Sequence, residues 1–194
     1  MDERKPPIKP TDEELRALVE NLKDTEGIVE RAFMIAALYH RGQTDKAGAE
    51  YINHPATVAM KVDGDEAKAA ALLHDVLEDT SASVELLETF FPETVVEAVK
   101  AVTKKEGEDY FDFIDRISHC PLAVKVKLAD LENNMDLSRF DGVDLTENDL
   151  RRNEKYKKAH DILSKKKQIY SRMKTKLNLP KPCLLRPFRR VLTE

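Results

Sequence analysis

Apolar residues recur along most of this chain at intervals of three and four, the spacing of one face of an α-helix. The stretch TDEELRALVENL opens with Thr11 three residues before Glu14, the pattern of a capping box, and predicts a helix from there. In EGIVERAFMIAALYHRGQ, Ile28, Ala32, Ile35, Ala36 and Tyr39 fall on one helical face. TDKAGAEYI breaks the period and reads as a loop. NHPATVAMKV resumes it, with Pro55 in the first turn, where a missing N–H costs little. DEAKAAALLHDVLEDT reads as one strongly apolar helix. SVELLETFF and PETVVEAVKAVT predict two shorter helices. GEDYFDFIDRI predicts another, with Phe111, Ile114 and Ile117 on one side. PLAVKVKLADLENNMDL and a long basic segment, TENDLRRNEKYKKAHDILSKKKQIYSRMKTKL, follow, and PKPCLLRP ends helical structure. The pattern predicts an all-α bundle of roughly eight to ten helices.

Composition agrees. Hydrophobic residues make up 41% of the 194 and charged residues 35%, with 6 Gly and no Trp. That length favours one domain with one sizeable core. The expected layout is a disordered arm over residues 1–10, a helical domain over 11–180 and a basic tail over 181–194. No apolar run approaches the ~20 residues that span a membrane. The first ten residues, MDERKPPIKP, do not read as a secretory signal. Two cysteines, Cys120 and Cys183, need no disulfide framework, and the expectation is a cytoplasmic protein with reduced thiols.

Charge is uneven. Of the 32 Lys and Arg, 15 lie in residues 151–194, against 3 acidic residues there. This reads as a solvated basic helix, and nucleic acid is not expected as a partner, because no aromatics interleave with the cations.

One stretch does not fit a plain helical core. The apolar run Ala69–Leu73 drives into His74 and Asp75, and Glu78 and Asp79 follow one turn later. Buried carboxylates must be paired or bound to a metal. His54, at the start of its helix, and Asp130, which interrupts VKVKLADL, complete a His2Asp2 set with His74 and Asp75. Mixed imidazole and carboxylate donors suit Mn, Fe, Zn or Co. Glu78 and Asp79 stand where an acid could position or deprotonate a water. Lys46, Lys104 and Lys105 are candidate cations for phosphate. His40 reads as a capping or core residue, His119 and His160 as surface residues, and Phe33, Phe90, Phe91, Phe111 and Phe113 as core.

HDVLEDT resembles the HDxxED signature of the RelA/SpoT-type alarmone hydrolases, within the HD phosphohydrolase superfamily. YHRGQ and YINHP resemble that family's first block and VKLADLENN its last, in the same order and spacing over about residues 26–160. The resemblance implies an all-α fold, a Mn2+ ion held by His54, His74, Asp75 and Asp130, and Glu78 and Asp79 handling the attacking water. It implies that Asn134 lines a nucleotide pocket. The chain has no room for the synthetase and regulatory domains of the long bifunctional members, so the small stand-alone form is expected.

The implied reaction is removal of pyrophosphate from the 3′ position of guanosine tetra- or pentaphosphate. The alternatives are a nucleotide phosphohydrolase with another base preference and a module that binds an alarmone without turnover. Two departures bear on the substrate. Where the family carries an arginine–lysine pair after the GQ loop, this chain has Asp45-Lys46, and Met135-Asp136 replaces its Met-Arg. The family arginine packs on guanine as a planar cation, which an aspartate cannot do. The expectation is weaker action on guanosine polyphosphates, or preference for a less charged nucleotide.

Overall fold

The computed structural model describes residues 5–45, 48–136 and 146–177. They form ten helices: α1 Asp12–Asp24, α2 Ile28–Tyr39, α3 Asn53–Met60, α4 Asp65–Leu73, α5 Val76–Asp79, α6 Val84–Phe90, α7 Glu93–Val102, α8 Tyr110–Ile117, α9 Pro121–Met135 and α10 Glu147–Leu177. Among the described residues there is no strand, only one isolated bridge between Thr44 and Glu50 that closes the loop before α3. No described helix is long and apolar enough to cross a membrane.

Local chemistry sets the helix starts. Thr11 and Glu14 form the expected capping box on α1. Ser83 caps α6, and the Asp109 side chain accepts from the Phe111 and Asp112 N–H groups at the start of α8. Pro121 opens α9, where its missing N–H leaves nothing unsatisfied.

α4 is the central element. Ala67, Ala69, Ala70, Ala71, Leu72 and Leu73 are all buried, and a helix apolar on every side belongs in the middle of a fold. Its alanines admit close neighbours: α2, α3, α7 and α9 all pack on it. α10 lies against α8 and α9.

The structure corrects several expectations. The segment expected as one helix over DEAKAAALLHDVLEDT is two, α4 and α5, broken at His74-Asp75. Asp75 sits at φ −102°, ψ −5°, the sparsely used bridge region. The His74 ring donates from Nδ1 to the Ala71 carbonyl at 2.7 Å, supplying that carbonyl with a side-chain donor where the helix ends.

The arm expected to be disordered is bonded over its described part. Ile8 N–H donates to the Arg41 carbonyl at 2.8 Å, and Thr44 N–H to the Lys5 carbonyl at 3.3 Å. Ile8 lies across Gly42, which has φ +76° and no room for a Cβ.

Phe33 and Phe111 are not core: they are 47% and 41% exposed. The buried face of α2 runs through Ala32, Ile35, Ala36 and Tyr39, one residue off Phe33, and that of α8 runs through Phe113, Ile114 and Ile117, leaving Phe111 at its edge. Phe91 and Phe113 are buried, and Phe90 is half-buried against the core. Lys46, Cys183 and the tail 181–194 lie outside the described residues.

Candidate metal centre

Four elements bring the predicted ligands together. His54 comes from the first turn of α3, His74 and Asp75 from the break between α4 and α5, and Asp130 from the middle of α9. The His54 and His74 Nε2 atoms are 3.3 Å apart. Asp130 Oδ1 is 3.1 Å from His54 Nε2 and 3.6 Å from His74 Nε2. Asp75 Oδ2 is 3.0 Å from His74 Nε2 and 3.6 Å from His54 Nε2. Donors about 2.0–2.2 Å from a common ion, at right-angle to tetrahedral spacing, lie about 2.8–3.6 Å apart. The separations fall within that span: His54, His74 and Asp130 form a cluster that could hold a divalent ion, and Asp75 lies beside it. Asp75 is the most open of the four, 22% exposed against 9% or less for the others, so the cluster meets solvent on its side.

Electrostatics agree with the geometry. Burial works against a charged His74, but Asp75 and Asp130 outweigh it and hold the ring well above its ordinary pKa. Burial also works against the charged forms of Asp75 and Asp130. His74 outweighs it for Asp75, and Lys127 for Asp130, so both carboxyls stay below the usual carboxylate range. The cluster is built to hold positive charge, whether from protons or from an ion.

Each donor is oriented from behind. The bond from His74 Nδ1 to the Ala71 carbonyl leaves Nε2 as the nitrogen that faces the cluster. Asn133 presents its amide to His54 Nδ1 at 2.8 Å. An amide can serve that nitrogen in either orientation, its oxygen accepting Nδ1–H when Nε2 holds an ion. Asp130 Oδ2 accepts from Lys127 Nζ at 2.8 Å, and Oδ1 from Asn134 Nδ2 at 2.6 Å. The Tyr51 hydroxyl donates to Asp75 Oδ2. Burial and the neighbouring Asp75 push that phenol well above its ordinary pKa, so it remains a donor.

Tyr51→Phe should therefore keep the fold and loosen the metal by about 10–100-fold, the usual effect of losing a group that orients a ligand. Metal titration of the purified variant checks this. Unchanged affinity would make the hydroxyl a passenger.

The two further acids flank the ligands. Asp79 Oδ2 accepts from Gln43 Nε2 at 3.2 Å, and Gln43 Oε1 lies 2.7 Å from His40 Nδ1. His40 is the buried C-terminal cap of α2, as expected, and takes no place among the ligands. Glu78 Oε2 accepts from the Lys104 backbone N–H at 2.8 Å. Its side chain keeps solvent contact, yet the surrounding protein and the Asp75 carboxylate hold its pKa above the ordinary value against the pull of that N–H.

Lys104 meets the site through its backbone; its side chain and that of Lys105 are exposed. Asn134, expected to face a nucleotide, commits its amide nitrogen to Asp130. Asp45 Oδ1 accepts from the Ala49 N–H at 2.9 Å and closes its own loop. His119 is exposed, and His160 lies 3.4 Å from Glu132 at the surface.

Tyr51, Asn133, Gln43 and Lys127 were not anticipated. Lys127 and Asn133 could have been found from their i−3 and i+3 spacing to Asp130 on one helix. Tyr51 and Gln43 lie in loop geometry that carries no such signal.

Comparison with known proteins matches the family described as HD domain to residues 32–119. That span holds His54, His74, Asp75, Glu78 and Asp79 and stops short of Asp130. The bifunctional (p)ppGpp synthase/hydrolase SpoT of Escherichia coli is 36% identical over 121 residues, 54% of this chain and 17% of that protein. The guanosine-3′,5′-bis(diphosphate) 3′-pyrophosphohydrolase of Aquifex aeolicus is 32% identical over 64% of this chain and 20% of its own length. A GTP pyrophosphokinase of Streptomyces coelicolor is 31% identical over 78% of this chain and 18% of its own length. The chain thus spans at most a fifth of the length of these relatives. A solved structure of a metazoan SpoT orthologue, described as hydrolysing ppGpp, shares the fold with a TM-score of 0.59 at 24% identity, over 80% of this chain and 98% of that one.

Proposed function

We propose, from the match of residues 32–119 to the HD-domain family and the likeness of the chain to part of the SpoT-type proteins, that it is a cytoplasmic, Mn2+-dependent pyrophosphohydrolase acting on guanosine 3′-pyrophosphates. The observation that carries the reading is the convergence of His54, His74, Asp75 and Asp130, with Glu78 and Asp79 beside them. A divalent ion held by those four would polarise a phosphoryl oxygen and acidify a water.

The chain's own groups do the rest. Glu78, with its pKa above the ordinary carboxylate value, is suited to take the proton of the attacking water. Asp79, held by Gln43, orients that water. Attack at the phosphorus next to the ribose 3′ oxygen breaks the P–O bond. The ribose 3′ oxygen is the leaving group and regains a proton as a hydroxyl, while the attacked group, now carrying the oxygen of the water, is released as pyrophosphate. Asn134 and Lys46 are assigned to the nucleotide side of the cleft on the family resemblance.

Assay of the purified chain with Mn2+ against guanosine 3′,5′-bis(diphosphate) and a panel of ordinary nucleotides tests this. Release of pyrophosphate and guanosine 5′-diphosphate is expected. No turnover of any 3′-pyrophosphorylated nucleotide would overturn the reading.

Asp45 favours a second reading on substrate preference. Asp45 and Asp136 replace two family cations, a local change of about four charge units at a site for a polyanion. A nucleotide of lower charge is then the better substrate. Asp45→Asn keeps an oxygen for the Ala49 N–H and removes one negative charge. We expect it to lower the Michaelis constant for the guanosine polyphosphate several-fold, and Asp45→Arg to lower it further. Steady-state kinetics decide; an unchanged constant in both variants makes Asp45 a loop-closing residue alone.

A further inference from the structure

Arg116 of α8 lies outside the ligand cluster, yet all five of its N–H donors have acceptors in one place. Nε donates to Glu108 Oε1 at 2.7 Å and Nη2 to Glu108 Oε2 at 2.8 Å. Nη1 reaches the Ala101 carbonyl at 3.0 Å and the Lys100 carbonyl at 3.4 Å, at the open end of α7. Nη2 also donates to the Thr103 carbonyl at 3.0 Å. The guanidinium stands 5.3 Å from the centre of the buried Phe113 ring. Lys127 Nζ stands 5.4 Å from the same ring, so one aromatic supports both this clamp and the lysine bonded to Asp130.

The Thr103 carbonyl and the Lys104 N–H are the two ends of a single peptide. The carbonyl end takes a hydrogen bond from Arg116, and the N–H end gives one to Glu78 Oε2 at 2.8 Å. We infer that Arg116 is a positioning residue for Glu78, acting through the Thr103–Lys104 peptide to fix the direction of the Glu78 carboxylate. The inference rests on the hydrolase reading proposed above. A cation on the carbonyl polarises the peptide and strengthens the bond its N–H gives, because bonds in series reinforce one another. The loop that follows has no helix to hold it. Its own ties run to Glu108, where the Lys105 N–H donates at 3.0 Å, and Glu108 is itself gripped by Arg116. Without the guanidinium, the peptide plane and the loop lose a common anchor.

The test combines turnover with an amide readout in the Mn2+-loaded protein. Misplacement of a reacting group by about 1 Å costs up to about 10²-fold. Arg116→Gln is therefore expected to lower kcat by about tenfold or more, with the Michaelis constant and metal content held. Arg116→Lys, which keeps the charge but not the fork, is expected to fall between. In a Glu78→Gln background the same Arg116 change should cost less than about twofold, because two residues acting through one group are not additive.

Hydrogen–deuterium exchange at the Lys104 amide should quicken in Arg116→Gln, while amides of α4 keep their protection. If Arg116→Gln does not fold, Glu108→Gln loosens the same clamp and should shift the Lys104 amide in the same direction. Equal losses of turnover in both backgrounds would reduce Arg116 to a structural role. Unchanged exchange at Lys104 would overturn the link whatever the turnover. A wild type that turns nothing over would refute the hydrolase reading, and the amide exchange alone would then decide the link.

Discussion

Asp130→Asn should strip the protein of nearly all bound metal and turnover, and should also weaken the fold. Both carboxylate oxygens are committed. Oδ1 faces His54 Nε2 at 3.1 Å and His74 Nε2 at 3.6 Å, and Oδ2 takes the Lys127 ammonium at 2.8 Å. An asparagine has one oxygen for these two directions. If the oxygen faces the rings, an NH2 group meets the lysine; if it faces the lysine, an NH2 group points at the ion. Lys127 is only 16% exposed, and a cation at that depth stripped of its partner costs about 3 kcal/mol. A single domain holds about 5–15 kcal/mol in total, so the variant should fold at a lower Tm. Elemental analysis and thermal unfolding measure the two effects. Adding Lys127→Met to Asp130→Asn separates them: stability should recover because the unpaired charge is gone, and metal should not. Full metal occupancy in folded Asp130→Asn would remove Asp130 from the ligand set.

The helices were legible because burial and period coincide. The face of Ala32, Ile35, Ala36 and Tyr39 is the same in sequence and in space, and the capping box at Thr11 is local chemistry. The candidate ligands were legible for another reason. A carboxylate inside an apolar run is anomalous unless something charged meets it, and Asp75 and Asp130 both sit in such runs. The break at His74-Asp75 was not legible, since its cause is the turn of one ring back onto the Ala71 carbonyl, and no periodicity records that. An unbroken helix would point the two side chains about 100° apart. The break is what lets Asp75 Oδ2 come within 3.0 Å of His74 Nε2.

The orienting groups were hidden for a related reason. Tyr51, Gln43 and Arg116 act on residues 24, 36 and 38 positions away or through another residue's backbone, and spacing arguments reach only one or two helical turns. Lys104 was noted as a cation, whereas its contribution to the site is the N–H that any residue but proline would supply.

Glu78→Gln should separate the ion from the proton. Glu78 Oε2 is turned to the Lys104 N–H and not to the histidine nitrogens that Asp75 and Asp130 face, so the variant should retain its metal. The amide is isosteric and keeps an oxygen for the Lys104 N–H, so loop and fold should hold. Only the base is lost, and general-base catalysis by a positioned side chain contributes about 10²–10⁴-fold. A fall of kcat in that range with full metal content is the expected result. Two pH effects accompany it. Because the Glu78 pKa lies above its ordinary value of 4.5, the acid limb of kcat/KM in the wild type should sit above pH 4.5, and it should vanish in the variant. A raised carboxyl pKa also means that folding disfavours the ionised form. Glu78 therefore favours the fold below its unfolded pKa and forfeits that contribution as pH rises through the folded value. The variant should then be no less stable than the wild type at pH 7, with any gain disappearing as pH falls below 4.5. An unchanged kcat would leave Glu78 as a support for the loop at Lys104. A joint loss of metal and rate would place its carboxylate on the ion.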